Sequence, residues 1–510
     1  MIVAGQVRQG AYYDSVTLMR VGKELAGLNG VADAAVVMGT KSNQAILNSS
    51  GLLAAQLKEA TDTDLLVAVK AETQTAADAA LAVVDRLLKH AVKNPGSRGE
   101  TRPTSLDGAL HVMPDANLVL ISVAGRYAGD EAMRALEHGL HVMLFSDNVP
   151  VEKEIQLKKF AQKKGLLVLG PDCGTAIING VPLAFANVVN RGNIGIVAAA
   201  GTGLQEVSCI ISNEGAGVSQ AIGTGGRDVK KEVGGLTFME GLKALAKDKN
   251  TQVILVVSKP PHPVVLNRLT KLIKTIRKPV VTMFIGANAK RGDPSTLEEA
   301  ALMAVALAQG KKLDDVAKRL ETTDAELGWI AKREAAKRKK GQKYVRGLFS
   351  GGTFCAEAQI LFSRMISDVY SNAPAGQAKP LKDSLKSQKN TAIDLGEDEF
   401  TVGRPHPMID HSLRNRRILE EAHDRETAVI LLDVVLGYGS HPDPASELSG
   451  VIREARKKVT VVCSITGTDK DPQNRSRVEV ALRQAGAIVM PSNAAACKLA
   501  GSIIQLRGRK

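Results

Sequence analysis

A chain of 510 residues with 44% apolar and 24% charged side chains can build several buried cores, which excludes a disordered protein. Its net charge of +14 comes without a basic face interleaved with aromatics, which are only 3% of residues, so nucleic-acid binding is excluded. Five scattered cysteines (Cys173, Cys209, Cys355, Cys463, Cys497) without a C-x-x-C pair exclude a disulfide framework and a zinc site. They point instead to a reducing cytoplasm. The N-terminus shows no basic-then-apolar signal and no run approaches membrane-spanning length, so a cytoplasmic protein without membrane partners is expected. The positive balance suits a small anionic substrate. Length gives a prior of roughly three to four domains.

In chain order, residues 1–92 read as a small ferredoxin-like α/β unit. Strands are expected at Ile2 to Val7, Ala32 to Met38 and Leu65 to Val69, and helices over 13–27 and 73–90. The Y-Y-D-S turn from Tyr12 to Ser15 caps the first helix through Asp14 or Ser15. Residues 93–106 are a linker by composition. Residues 107–192 carry L-V-L-I-S-V-A-G, H-V-M-L-F-S and L-L-V-L-G-P-D-C-G with helices between them, a βαβαβ run that predicts a doubly wound, Rossmann-like parallel sheet. The absence of G-x-G-x-x-G after its strands speaks against a nicotinamide dinucleotide. Residues 193–310 form a second α/β domain, 311–344 a basic, solvated linker helix, and 345–510 a third domain. The class is therefore α/β, with several doubly wound parallel-sheet domains.

The last two domains repeat one another. I-G-I-V-A-A-A-G-T-G-L-Q-E (194–206) and V-R-G-L-F-S-G-G-T-F-C-A-E (345–357) are each a strand, a small-residue turn and a helix, with Glu206 and Glu357 four residues after Thr202 and Thr353. A helix opening on glycine presents unpaired N–H groups and a dipole that favours an anion. Further on, V-S-Q-A-I leads to Gly225, Gly226, Arg227 and Asp228, and its counterpart F-T-V leads to Gly403 and Arg404, with His406 and Asp410 behind. Then P-P-H-P at His262 answers H-P at His441, and Asp293-Pro294 answers Asp471-Pro472. Four matched loops in one order indicate a duplication. All are strand ends, where open parallel sheets bind ligands. A polar segment at 371–398 reads as an insertion or flap.

These residues resemble the succinyl-CoA synthetase superfamily, and within it the FdrA branch. Leu169-Gly170-Pro171-Asp172-Cys173 stands where that superfamily ends a CoA-binding domain, Ala200 to Glu206 matches its S-G-T-x-x-x-E helix start, and Gly225 to Asp228 its G-G-D turn. The resemblance covers roughly 106–310 and 345–505. It implies a CoA-binding-type Rossmann-like domain followed by two flavodoxin-like CoA-ligase-type domains. Two departures stand out. The superfamily's phosphohistidine loop is replaced by Ile285-Gly286-Ala287-Asn288-Ala289-Lys290-Arg291, and His262 is the only histidine between 229 and 345. No early glycine-rich CoA turn and no ATP-grasp domain are visible.

The resemblance implies a subunit of an oxamate carbamoyltransferase in purine-ureide (allantoin) breakdown, converting oxalurate and phosphate to oxamate and carbamoyl phosphate, with companion subunits. An ADP-forming acyl-CoA synthetase and a non-catalytic scaffold that binds an acyl phosphate are the alternatives. Phosphate or carbamoyl phosphate is the expected ligand, CoA a further one, and a homo-oligomer is compatible with the chain. The two corners, Gly201, Thr202, Gly203 and Ser350, Gly351, Gly352, Thr353, are expected to face one anion, with Gly225 and Gly226 beside them. Arg227 and Arg404 would clamp it. His441, or the cluster of His406 and Asp410, would supply acid–base chemistry. His262 reads mainly as turn chemistry, and Asp228 equally as a site residue or a helix cap. His406 with His411 lacks a diagnostic metal spacing, so no metal is expected.

Overall fold

The computed structural model describes residues 1–11, 13, 15–92, 103, 105–287, 292–401 and 404–506. Tyr12, Asp14, the 93–102 part of the linker, residues 288–291 and Gly403 lie outside them, as does the side chain of Ser15. The chain divides into two units: residues 1–116 with 397–406, and 117–396 with 407–510.

The first unit contains β1 (Ile2–Arg8), α1 (Ser15–Ala26), β2 (Val31–Met38), α2 (Lys41–Ser49), β3 (Leu65–Ala71), α3 (Gln74–Ala82), α4 (Val84–Val92) and α5 (Leu106–Val112). Its sheet has the order β1-β3-β2, with β3 antiparallel to both neighbours, as in half of a ferredoxin-like fold. Both faces are buried. Val36, Leu65, Val67 and Val69 pack with Leu18, Val21 and Leu25, while Val37, Leu66 and Ala68 pack with Leu47, Leu52 and Leu57. The second layer rests on α2, a helix beyond the two expected in this unit. Thr40 caps it by accepting the Asn43 N–H at 3.2 Å. The single helix expected over 73–90 is two, broken at the β-branched pair Val83-Val84, where χ1 crowding weakens the helix.

The second unit begins with β4 (Leu118–Ile121), α6 (Gly125–Glu137), β5 (His141–Leu144), α7 (Val151–Lys164) and β6 (Val168–Leu169), a parallel sheet ordered β4-β5-β6. The hairpin β7 (Thr175–Ile178) and β8 (Val181–Ala184) leaves this sheet and pairs antiparallel with β10 of the next. That sheet contains β9 (Arg191–Ala199), α8 (Gly201–Asn213), β10 (Val218–Gly223), α9 (Leu236–Lys247), β11 (Val253–Ser258), α10 (Pro263–Ile273), β12 (Val280–Phe284) and α11 (Leu297–Ala308), in strand order β12-β11-β9-β10-β7-β8. Helix α12 (Leu313–Ala335) follows. It is not solvated all round: Leu327, Ala331 and Ala335 are buried, and it packs against the last helix of the chain.

The final domain contains β13 (Tyr344–Phe349), α13 (Gly352–Met365), β14 (Val369–Ser371), β15 (Lys379–Pro380), β16 (Asn390–Asp394), α14 (Asp398–Thr401), α15 (Ser412–His423), β17 (Thr427–Val435), α16 (Pro444–Arg456), β18 (Thr460–Thr466), α17 (Arg475–Gln484), β19 (Ile488–Met490) and α18 (Asn493–Gln505). Its parallel sheet is ordered β15-β14-β16-β13-β17-β18-β19. The first four repeat strands therefore run 2-1-3-4 in both domains, the flavodoxin-like winding. The second repeat strand here is β16, paired with β13 from Arg346↔Thr391 to Phe349↔Asp394. This corrects two expectations. The 371–398 segment is no flap, because it supplies this fully buried strand. F-T-V at 400–402 is no strand, because Phe400 and Thr401 are in α14, which groups with the first unit. One apolar core runs through both repeat domains, from Ile196, Leu255 and Leu204 to Phe349, Phe354 and Cys497.

Candidate functional site

The first corner joins β9 to α8. Gly201 is exposed, Thr202 and Gly203 are buried, and the N-cap residue Ala200 has no side chain to bond the free N–H groups. Ser258, the last residue of β11, lies beside Ala199, so Lys259 follows alongside the helix start. Lys259 is exposed, and its ammonium makes no bond to a described residue. Its charge nevertheless acts on the Cys355 thiol in the first turn of α13. Among the described residues this cation has no partner, and it follows the strand end next to the β9–α8 corner.

The second corner joins β13 to α13 and is already supplied with acid. Asp433 of β17, 0% exposed, accepts the N–H groups of Ser350 and Gly351, each at 2.8 Å, and the Ser350 hydroxyl at 2.9 Å. Buried Arg414 donates to the same carboxylate at 3.0 Å and to the Asp433 carbonyl at 2.6 Å. A Cβ on Gly352 would overlap Asp394 Oδ2. The N–H groups of Ser350 and Gly351, assigned above to an anion site, are therefore taken by the protein's own carboxylate. In the first domain the equivalent strand position is Val257, which pairs with Ala198 and lies 3.3 Å from a Cβ built on Gly203. The two corners share a backbone path but differ in charge, and the open one is Gly201.

The corners touch. A Cβ on Gly203 would stand 2.9 Å from Thr353 Cγ2, and one on Gly351 2.8 Å from Thr202 Cγ2, so glycine at both places permits the approach. One helical turn further, the two glutamates make reciprocal contacts. Glu206 accepts the N–H of Asn493, the first residue of α18, at 2.9 Å. Glu357 accepts the N–H of Leu297, the first residue of α11, at 2.8 Å. Each domain's first helix thus holds the N-terminus of the other domain's last helix. Burial pushes Glu206 up to about 7 and raises Glu357 as well.

The remaining expected site residues are held elsewhere. Gly225 has φ +79° and packs so closely on the Pro171 carbonyl that a side chain would overlap it. Gly226 is open, with no heavy atom within 4 Å of a built Cβ. Arg227 bonds the Val149 carbonyl at 2.8 Å and Glu154 at 3.0 Å, so it braces the three-stranded sheet instead of standing free as a clamp. Asp228 is a cap: it accepts the Phe238 N–H at 2.7 Å and Lys158 Nζ at 2.8 Å. Arg404 pairs with Asp33 at 2.7 Å, and both it and His406 belong to the first unit. Asp410 belongs to the second, where it accepts the Ser412 N–H at 2.8 Å and steadies the start of α15.

His441 and His262 occupy matching turns in the same way. His441 Nδ1 accepts the Asp443 N–H at 3.1 Å, and His262 Nδ1 accepts the Val264 N–H at 3.3 Å. His441 Nε2 stands 3.9 Å from Glu447. The His411 ring lies 5.4 Å from that of His441, and burial beside Arg414 drives its pKa down to about 2, so it is neutral. Sequence reasoning missed Lys259, Asp433, Arg414 and Asn493. Asp433 had a signal: it is the one charged residue inside the apolar run V-I-L-L-D-V-V-L.

A CoA-ligase family model matches residues 348–503, a CoA binding domain model residues 189–286, and a model described as AllF, heavy metal-associated domain, residues 1–103. The CoA-binding match falls on the domain that the sequence reading gave to CoA-ligase type. The uncharacterized protein YahF of Escherichia coli K12 is 41% identical over 500 residues, covering 96% of each chain. The chain belongs to the YahF family. The succinate–CoA ligase (ADP-forming) subunit alpha of Methanothermobacter thermautotrophicus is 27% identical over 181 residues, 35% of this chain and 60% of that one. The malate–CoA ligase subunit alpha of Methylorubrum extorquens is 24% identical, over 33% of this chain and 59% of its own length. Among solved structures, the dinucleotide-forming acetyl-coenzyme A synthetase 1 of Ca. Korarchaeum cryptofilum, in complex with phosphate and ADP, aligns over 81% of this chain and 86% of its own, at 15% identity and a TM-score of 0.32. This YahF-family chain thus has a CoA-ligase and CoA-binding architecture related to succinate–CoA ligase and the ADP-forming acyl-CoA synthetases, with an AllF-related N-terminal domain. That N-terminal domain has no cysteine, and among the described residues no cluster of three or more metal-ligating side chains occurs. Nor, among the described residues, is any helix long and apolar enough to cross a membrane.

Proposed function

We propose that the chain is an acyl-transfer enzyme of the ADP-forming acyl-CoA-synthetase type, working at the α8 start on phosphate or an acyl phosphate. The observation that carries this is the meeting of two corners, of which only the second, among the described residues, holds a carboxylate of the protein. In this reading phosphate oxygens rest on the N–H groups of Gly201, Thr202 and Gly203, and Lys259 supplies the opposing charge. Thr202 and Thr353 close the apolar side. The CoA binding domain match covers residues 189–286 and not the α6 start, where a Cβ on Gly125 would overlap the Asp147 carbonyl oxygen. No step is routed through the CoA nucleotide, and its thiol is one acceptor among those to be tested.

A second reading, carbamoyl transfer of the FdrA kind, is favoured by the missing relay nucleophile. His262 is the only histidine between 229 and 345, and its Nδ1 is committed to a helix cap. Here a phosphate oxygen attacks the carbamoyl carbon of oxalurate, the C–N bond breaks, and the departing nitrogen takes the proton that phosphate gives up. Oxamate and carbamoyl phosphate result, with the developing oxyanion held by the same N–H groups. Companion subunits belong to this reading. A reducing, cytoplasmic setting accords with five buried, unpaired cysteines.

The test is turnover by the purified chain, alone and with proteins that copurify with it. One arm supplies ATP, CoA and a panel of small carboxylates, and the other supplies oxalurate and phosphate. Acyl-CoA formation supports the first reading, carbamoyl phosphate the second. Phosphate binding with neither product leaves a scaffold that holds an acyl phosphate. Absence of both turnover and phosphate binding refutes all three.

A further inference from the structure

Beneath the two corners lies a cluster that the proposed reaction does not use. Asn493, 0% exposed, opens α18 and touches both glutamates: its N–H donates to Glu206 at 2.9 Å and its Nδ2 to Glu357 at 2.8 Å. The other Glu206 oxygen accepts the Thr466 hydroxyl at 2.5 Å. Asn493 Oδ1, in contrast, is buried without any hydrogen-bond partner among the described residues. A buried carbonyl left unserved is costly, and of the two carboxyls Glu357 is the one bonded to this side-chain amide, so a proton on it would serve the Oδ1. The surroundings favour that proton. Glu206 is faced by Glu357 of α13 and Glu298 of α11. Glu357 is faced by Glu298 and, from α18, by Lys498. Cys497 of α18 and Cys209 of α8 also border the pair. Glu298 accepts the Ser492 hydroxyl at 2.8 Å and is flanked by Lys498, Arg319 and Asp324. Four acids thus stand with two cations, of which Lys498 is paired with Asp324 at 2.8 Å and Arg319 with Glu214 at 2.6 Å.

We propose that Glu206, Asn493 and Glu357 form a proton-holding clasp between the two repeat domains, which keeps the Gly201 and Gly352 corners together while protonated and loosens when the proton leaves. Its mechanical link to the site is short, because each glutamate is one helical turn from the threonine that touches the opposite corner. Burial raises the affinity of Glu206, Glu357 and Glu298 for protons. The sign follows. A carboxyl raised to about 7 in the folded protein contributes its full stabilisation below the ordinary carboxylate range and loses it as pH rises through about 7. That this loosening reaches the reacting group rests on the function proposed above; the clasp itself does not.

The test measures the clasp and the site separately in the full chain. Hydrogen exchange at the Asn493 and Leu297 amides, corrected for intrinsic rates, reports the clasp. Sulfate, which does not titrate near neutrality, reports the anion site. Between about pH 5.5 and 8.5 protection at both amides should fall by about tenfold or more, in parallel with sulfate affinity, and Glu206→Gln or Glu357→Gln should flatten the profile. Unchanged protection in the native chain overturns the clasp without any variant having to fold. A slope equal to the native one in both Glu206→Gln and Glu357→Gln also overturns it, by placing the proton outside the clasp. If protection falls as expected while sulfate binds at no pH, the clasp stands and the anion-site reading fails.

Discussion

The contact between the corners can be tested by one methyl group. In Gly203→Ala the new Cβ would sit 2.9 Å from Thr353 Cγ2 and 3.3 Å from both Ala200 Cβ and Val257 Cγ1. Carbon pairs settle at about 3.5–4.0 Å, so Thr353 would have to retreat by roughly 0.6–1 Å. It has little room, being β-branched and 5% exposed at the first turn of α13. Overpacking of this kind costs about 1–3 kcal/mol, offset by roughly 0.5–1 kcal/mol because alanine is the better helix residue. A net loss of up to about 2.5 kcal/mol, centred on about 1 kcal/mol, is expected in denaturant unfolding. Thr353→Ser removes the opposing methyl, so in the double variant about 1 kcal/mol or more should return as coupling. Gly226→Ala, with no atom within 4 Å of the built Cβ, is the control and should stay within about ±0.5 kcal/mol. Additivity of Gly203→Ala and Thr353→Ser to within about 0.3 kcal/mol would refute the contact.

Further outcomes follow from the buried charges and the turn histidines. Asp433→Ala strands the fully buried Arg414 and should cost about 3–5 kcal/mol in urea unfolding, and a loss under about 1 kcal/mol would contradict the pairing. Lys158→Met removes the ammonium shared by buried Glu154 and Asp228, so it should destabilise by a similar ~3–5 kcal/mol in urea unfolding, and a loss under about 1 kcal/mol would contradict that sharing. His262→Ala should cost only about 0.5–1 kcal/mol, the worth of a helix cap, and leave turnover unchanged. A large loss of turnover with intact folding would return His262 to the chemistry. Lys259→Met should raise the KM for the anionic substrate by about tenfold or more while leaving stability within about 0.5 kcal/mol, since its ammonium is exposed.

The α/β class and the duplication were legible because strand ends and helix starts are written in glycine, threonine and apolar runs, as at Gly201-Thr202 and Gly352-Thr353. The second strand of the last domain was not. Asn390–Asp394 is five residues of mixed polarity, buried only because β13 and β14 flank it, and propensity carries no trace of that. Helix α2 was missed for a related reason: its sequence, K-S-N-Q-A-I-L-N-S, is polar, and it is fixed by the Thr40 cap and by Leu47 packing under the sheet. Charge roles suffered most. Arg227, Arg404 and Asp410 stand in loops that look like ligand loops, and only the fold shows Glu154, Asp33 and the Ser412 amide waiting for them. Lys259 had a signal of its own, a lysine directly after a fully buried strand and before P-P-H-P.

The α8 start, with Lys259 following the neighbouring strand end, is the place proposed above to hold the anion. The most direct measurement is a difference map from crystals grown with and without inorganic phosphate. Phosphate density within hydrogen-bond reach of the Gly201, Thr202 and Gly203 amides and the Lys259 ammonium, with Asp433 still bound to Ser350 and Gly351, is the expected result. Phosphate on Ser350 and Gly351 with Asp433 displaced, or a bare Gly201 corner at saturating phosphate, would contradict it.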